Sequence, residues 1–129
     1  MTSRTKRLLP AACAFLVATS ALCAGFDVDA DLMRGIDDTA KSLDSNVAQK
    51  DAKAAAADAR SLVETFAHIE AHYGEKPETA DAVGFAHHTQ ELAAQALKAI
   101  DANDFDAANG AVEQLTRSCK SCHEVYKKD

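Results

Sequence analysis

The chain has 129 residues, 47% hydrophobic and 26% charged, and a formal net charge of −6. That apolar content suffices for one packed domain, and abundant alanine with five glycines and two prolines favours helix over sheet. So acidic a chain lacks the basic footprint that nucleic-acid binding requires.

The first segment stands apart. Arg4, Lys6 and Arg7 form a basic head, the run from Leu8 to Leu22 is almost wholly apolar, and small residues follow up to Ala24. This is the pattern of a secretory signal peptide over residues 1–24, cleaved after Ala24, with Ala21 as second choice. The apolar run is short for a membrane span, so no span is expected in the mature form. A lipid anchor on Cys23 is the alternative, although Thr19-Ser20-Ala21-Leu22 makes a poor lipoprotein signal. No arginine pair is present, so export of an unfolded chain to the periplasm is expected. Removing residues 1–24 takes three of the 14 basic residues and none of the 20 acidic ones, which leaves a net charge of −9. Cys13 and Cys23 go as well, so the mature chain, residues 25–129, keeps one cysteine pair and one methionine, Met33.

Four apolar stripes follow, each advancing in steps of three and four residues, the spacing of one helix face. The first is Met33, Ile36, Ala40 and Leu43. The second is Ala52, Ala55, Ala59, Leu62, Phe66, Ile69 and Tyr73. The third is Val83, Ala86, Ala93, Leu97 and Ile100, flanked by Phe85, Leu92 and Ala96. The fourth is Phe105, Ala108, Val112, Leu115, Cys119, Cys122 and Tyr126. Gly74-Glu75-Lys76-Pro77 ends the second helix and lets the third begin after proline. Asp101-Ala102-Asn103-Asp104 supplies a turn and an N-cap. The first break is placed around Asp44-Ser45-Asn46 or at Lys50-Asp51. Connections this short make neighbours antiparallel, which predicts an all-α, up-down-up-down four-helix bundle. A longer helical hairpin pairing between subunits is the other architecture.

The fourth stripe ends in Cys119-Lys120-Ser121-Cys122-His123. A zinc site would need a fourth ligand from another helix, with no second cysteine pair to give it. A thioredoxin-like dithiol opens a helix after a strand, whereas this pair lies late in a helix and no strand is visible. A disulfide at this spacing within one helix is strained. Covalent haem attachment fits: C-x-x-C presents two sulfurs across about one helical turn, and the next histidine is placed to ligate the iron. Export agrees with this, because c-type haem is attached outside the cytoplasm.

A C-x-x-C-H near the C-terminus of an exported four-helix bundle resembles the class II c-type cytochromes, the cytochrome c-prime family. "CKSCHEVYK" is similar to that family's terminal motif, and the arrangement is also similar to the soluble four-helix b-type cytochrome of the periplasm. The resemblance implies one haem c bonded to Cys119 and Cys122, with His123 as proximal iron ligand. It also implies two branches. In one, a methionine on the first helix makes a six-coordinate, low-spin electron carrier. In the other, an apolar residue blocks the distal side of a five-coordinate, high-spin iron, and nitric oxide or carbon monoxide binds.

Met33 decides between the branches. In an antiparallel bundle the start of the first helix lies beside the end of the fourth. Met33 and His123 therefore sit at similar depth, at about 1.5 Å of rise per residue. Met33 also heads its apolar stripe, so it is expected as the distal ligand, against the alternative of ordinary core filling. Among the other histidines, His88 falls on an inward flank between Phe85 and Leu92 and is the best rival; for each of His68, His72, His87 and His88 an exposed or partly buried surface role is expected over ligation. Many members of the family carry an arginine near a haem propionate, but Arg34 directly follows Met33 and should point elsewhere. Arg117, Lys120, Lys127 and Lys128 are the basic residues at that end, available to propionates or to an acidic redox partner protein. One-electron transfer with no substrate chemistry is expected, so the chain is not read as an enzyme. Homodimerisation is allowed through the first two helices, where the alanine-rich stretch Ala52 to Ala59 permits close approach.

Overall fold

The computed structural model describes residues 27–126. The expected signal peptide of residues 1–24, with its cleavage site, and Lys127 and Lys128 lie outside the described residues.

Four helices form: α1 (Ala30–Ala48), α2 (Ala52–Gly74), α3 (Ala80–Asp101) and α4 (Phe105–Tyr126), with a single 3-10 turn at Pro77–Thr79 before α3. No strand occurs among the described residues. Each helix packs on its chain neighbours, and α1 closes the ring against α4. The result is the expected antiparallel bundle. Contact is most extensive between α2 and α3 and least between α1 and α4.

Polar residues set the ends. Asp29 caps α1 by accepting from the Leu32 amide at 2.8 Å, and Asp51 caps α2 by accepting from the Ala54 amide at 3.0 Å. Asp104 does the same for α4 through the Ala107 amide at 3.0 Å. Each satisfies a backbone donor that the first helical turn leaves unpaired. Both the α1–α2 and α3–α4 turns pass through a left-handed residue, Lys50 (φ 57°) and Asn103 (φ 55°). Asparagine tolerates that conformation better than most residues; lysine adopts it at a cost.

Of the two positions offered for the first break, the chain takes the later one. Helix α1 runs through Asp44-Ser45-Asn46 because polar groups there are used across the bundle. Asn46 Nδ2 and Ser42 Oγ both donate to Asp58 Oδ2 on α2, at 2.8 and 2.7 Å. The second break works through Pro77 more than Gly74, whose φ is not positive. Lys76 is extended ahead of the proline, and Thr79 Oγ1 donates to the carbonyls of Tyr73 and Lys76 at 3.0 and 2.9 Å.

The core follows the stripes. Leu43, Leu62, Leu92, Ile100 and Leu115 are at most 2% exposed, each contributing about 1.5–3 kcal/mol of transfer free energy. Two core positions are polar: Thr89 and Ser118. The stripe on α3 skips a turn between Ala86 and Ala93, and Thr89 fills it.

Candidate haem-attachment site

The last two turns of α4 continue its buried stripe. After Leu115 come Ser118, then Cys119 and Cys122, then Tyr126. Both cysteines are free and partly buried, and Cys119 packs against the apolar core. At about 100° per residue, Cys119, Cys122 and His123 fall within an arc of about 100°. Ser118 faces α3, where it hydrogen-bonds Thr89 at 2.7 Å. His123 lies about 140° round the helix from Ser118 and is exposed.

The electrostatics locate the thiols among three helices. Burial pushes the Cys119 thiol above its ordinary value, with further contributions from Cys122 and from the Asp37 carboxylate on α1. Burial likewise raises Cys122. Tyr73, at the end of α2, is raised by burial, then by Cys122 and Tyr126. The Tyr73 and Tyr126 rings lie 6.2 Å apart, tilted by 36°. Cys119 thus lies on the apolar core, at the end of the bundle that also carries Tyr73 of α2 and Tyr126 of α4. The thiols are kept neutral here, unlike the lowered thiol of a redox dithiol at a helix N-terminus.

Met33 is half-buried and packs against the same core. It lies one turn before Asp37 on the same face of α1. Arg34 is exposed and pairs with Asp31, turned away as its position beside Met33 implied. The other histidines lie off the interior. His68 is exposed, and His72 has its Nε2 3.0 Å from Lys76 Nζ. His87 stands between Glu70 of α2 and Glu91 of α3, at 3.3 and 3.4 Å. His88 is exposed, as a surface role implies, and not on the inward flank, because Thr89, one residue on, takes the inward position.

Two sulfurs one turn apart, reduced and with an apolar interior behind them, match the donor chemistry of covalent haem attachment. Among the described residues, no group of three or more His, Cys, Asp or Glu side chains converges as a metal site, so the zinc reading finds no ligand set. Residues 26–127 match the family model described as Cytochrome C'. The chain belongs to the cytochrome c′ family. No curated protein and no solved structure gives a significant match. Membership makes this a c-type cytochrome of a family of electron carriers and gas binders, with covalently bound c-type haem. Family members are typically periplasmic and are generally not enzymes, and no described helix is long and apolar enough to cross a membrane.

The site contains residues that the apolar stripes passed over. Thr89 and Ser118 lie on the buried spacing but are polar.

Proposed function

We propose that this member of the family is a periplasmic one-electron carrier. Its haem c is bonded to Cys119 and Cys122, and its iron is held by His123 and Met33. The observation that carries this reading is that Met33 of α1 and Cys119 of α4 both pack against the apolar core, at the end of the bundle where α1 begins and α4 ends. The helices run antiparallel, and Met33 lies three residues from the start of α1 while His123 lies three residues from the end of α4. That similar depth supports pairing the thioether with the imidazole.

When bound, the haem supplies a one-electron ferric/ferrous couple. The chain's own contribution is positional. Cys119 and Cys122 would fix the group to α4, His123 of the same helix would ligate the iron, and Met33 of α1 would supply the second ligand. A thioether ligand favours the reduced iron and so raises the potential. Tyr73, Tyr126 and the buried end of the core keep the surroundings apolar. Held by two helices of a closed bundle, the ligands change little between the two redox states.

Met33 also packs as an ordinary core side chain. That supports the second reading, a five-coordinate, high-spin site taking nitric oxide or carbon monoxide. Optical and electron-paramagnetic spectra of the purified haem protein separate the two. A low-spin ferrous form indifferent to carbon monoxide is expected, and Met33→Ala should make it high-spin and gas-binding. A parent protein already high-spin and readily carbonylated would establish the second reading instead.

Arg117 and Lys120 are exposed near the haem end, with Val125, 58% exposed, on the same helix. Arg117 and Lys120 lie one turn apart on α4, and such a cationic pair suits an acidic redox partner. Exchange with such a partner should slow as salt is added; a salt-independent rate would remove the pair from the reading. Pairing of two copies along the alanine-rich start of α2 would have to use Ala57, since Ala55, Ala56 and Ala59 face the core.

A further inference from the structure

On α4, away from the cysteines, a groove of about 240 Å³ follows the α3–α4 seam. Phe85 and His88 of α3 form one wall, and Gln114, Arg117, Ser118 and Ser121 of α4 form the other. At about 100° per residue, Arg117 falls about 160° round α4 from Cys119, and Gln114 and Ser121 fall about 80–100° from Cys122. The groove adjoins the cysteine turn through Ser118 but opens on the α3 side, and neither cysteine nor His123 lines it.

Its polar groups divide into committed and uncommitted ones. Ser118 is engaged with Thr89 at 2.7 Å, Ser121 Oγ donates to the Arg117 carbonyl at 3.3 Å, and Gln114 Nε2 donates to the Gly110 carbonyl at 3.3 Å. Arg117 has only a loose contact, 3.8 Å to Glu113, between side chains 66% and 58% exposed. Exposed pairs of that kind contribute little and yield readily to a better partner. Its guanidinium keeps N–H donors to spare. His88 has no hydrogen-bond or ion-pair partner among the described residues. No carboxylate lines the groove, although the chain carries 20 Asp and Glu against 14 Lys and Arg. In so acidic a protein, a cleft with an arginine in one wall, a histidine in the other and no carboxylate in its lining favours negative charge, with Glu113 beside Arg117 as the competing acid.

We propose that this groove binds a small inorganic oxyanion, gripped by the Arg117 guanidinium from α4 and the His88 imidazole from α3. The volume accommodates a tetrahedral oxyanion with part of its hydration. The planar fork of arginine matches two of its oxygens, and charge-assisted bonds of this type are the stronger class. Phe85 closes one side with an apolar surface. The site goes beyond electron transfer and does not depend on what ligates the iron.

Inorganic phosphate is the probe. Titrated into the purified haem protein at constant ionic strength, with chloride as the balancing anion, it should give one saturable site per chain by calorimetry. The His88 ring resonances should shift along the same curve. Arg117→Gln should weaken binding by about tenfold or more, and His88→Ala should weaken it too. Lys98→Gln, an exposed cation of α3 outside the groove, should bind as the parent does. All three positions are exposed, so folding is not at stake. Unsaturable heats, or an equal loss in Lys98→Gln, would reduce the effect to general charge screening and overturn the site.

Discussion

Two seams of the bundle differ in what fills them. Between α2 and α3 contact is widest: alanines are buried on both helices, at 55, 56 and 59 on one and at 82, 86, 93 and 96 on the other, with Leu62 and Leu92 fully enclosed. Small side chains let helix axes approach closely, and the large ones between them fill the core. Its outer edge carries the exposed contacts Arg60–Asp101 and Glu70–His87. Between α1 and α4 contact is narrowest, α1 buries only Ile36, Leu43 and Val47, and the chemically distinctive groups gather: Met33, Asp37, Cys119, Cys122 and His123. One side of the bundle holds the fold, and the opposite side holds the chemistry. A seam that is thin in protein contacts is where a large planar group can be taken up without dismantling the core.

The largest test addresses the chemical side. Cys119→Ala with Cys122→Ala should abolish covalent haem entirely, read as loss of the haem increment in the intact mass and as haem that acidified organic solvent extracts. Retention of the increment would move attachment elsewhere. A second comparison weighs the seams directly. Leu92→Ala, in the wide seam, should cost about 2–5 kcal/mol in urea unfolding. Met33→Ala, half-buried in the narrow one, should cost about 1 kcal/mol in the haem-free chain and yet change the spectrum of the haem protein. The reverse order of stability costs would place the structural weight on the α1–α4 side.

How far the sequence carried depended on the kind of signal. Helices spaced by Pro77, Asp51 and Asp104 were legible because caps and breakers act within a few residues. The cysteine motif was legible for the same reason, since three side chains on one helix need no tertiary knowledge. The exact end of α1 was not, because Ser42 and Asn46 look like turn formers until Asp58 of α2 is seen to accept from both. His88 was misjudged as inward because its place between Phe85 and Leu92 suits either flank; the buried Thr89 settles the rotation of α3. The hydroxyl pair Thr89–Ser118 could not be read at all, because it depends on how α3 and α4 meet, and many sequences with the same stripes would align them one turn differently.

The Thr89–Ser118 pair sits on the seam that links the two regions, one residue before Cys119. Thr89 Oγ1 donates to the Phe85 carbonyl at 2.8 Å, which commits its proton, so Ser118 is the donor in the 2.7 Å bond between the two hydroxyls. Thr89→Val removes the acceptor and leaves the Ser118 hydroxyl, 6% exposed, to turn back on its own helix. A cost of about 1–3 kcal/mol is expected. Ser118→Ala should cost less, about 1 kcal/mol, because Thr89 keeps its bond to Phe85. With both changed no polar group is stranded, so the double variant should be more stable than the two single costs predict. Urea unfolding of all four proteins measures the difference. Simple additivity would mean that the hydroxyls do not act on one another, and that α4 is held in rotation by its apolar stripe alone.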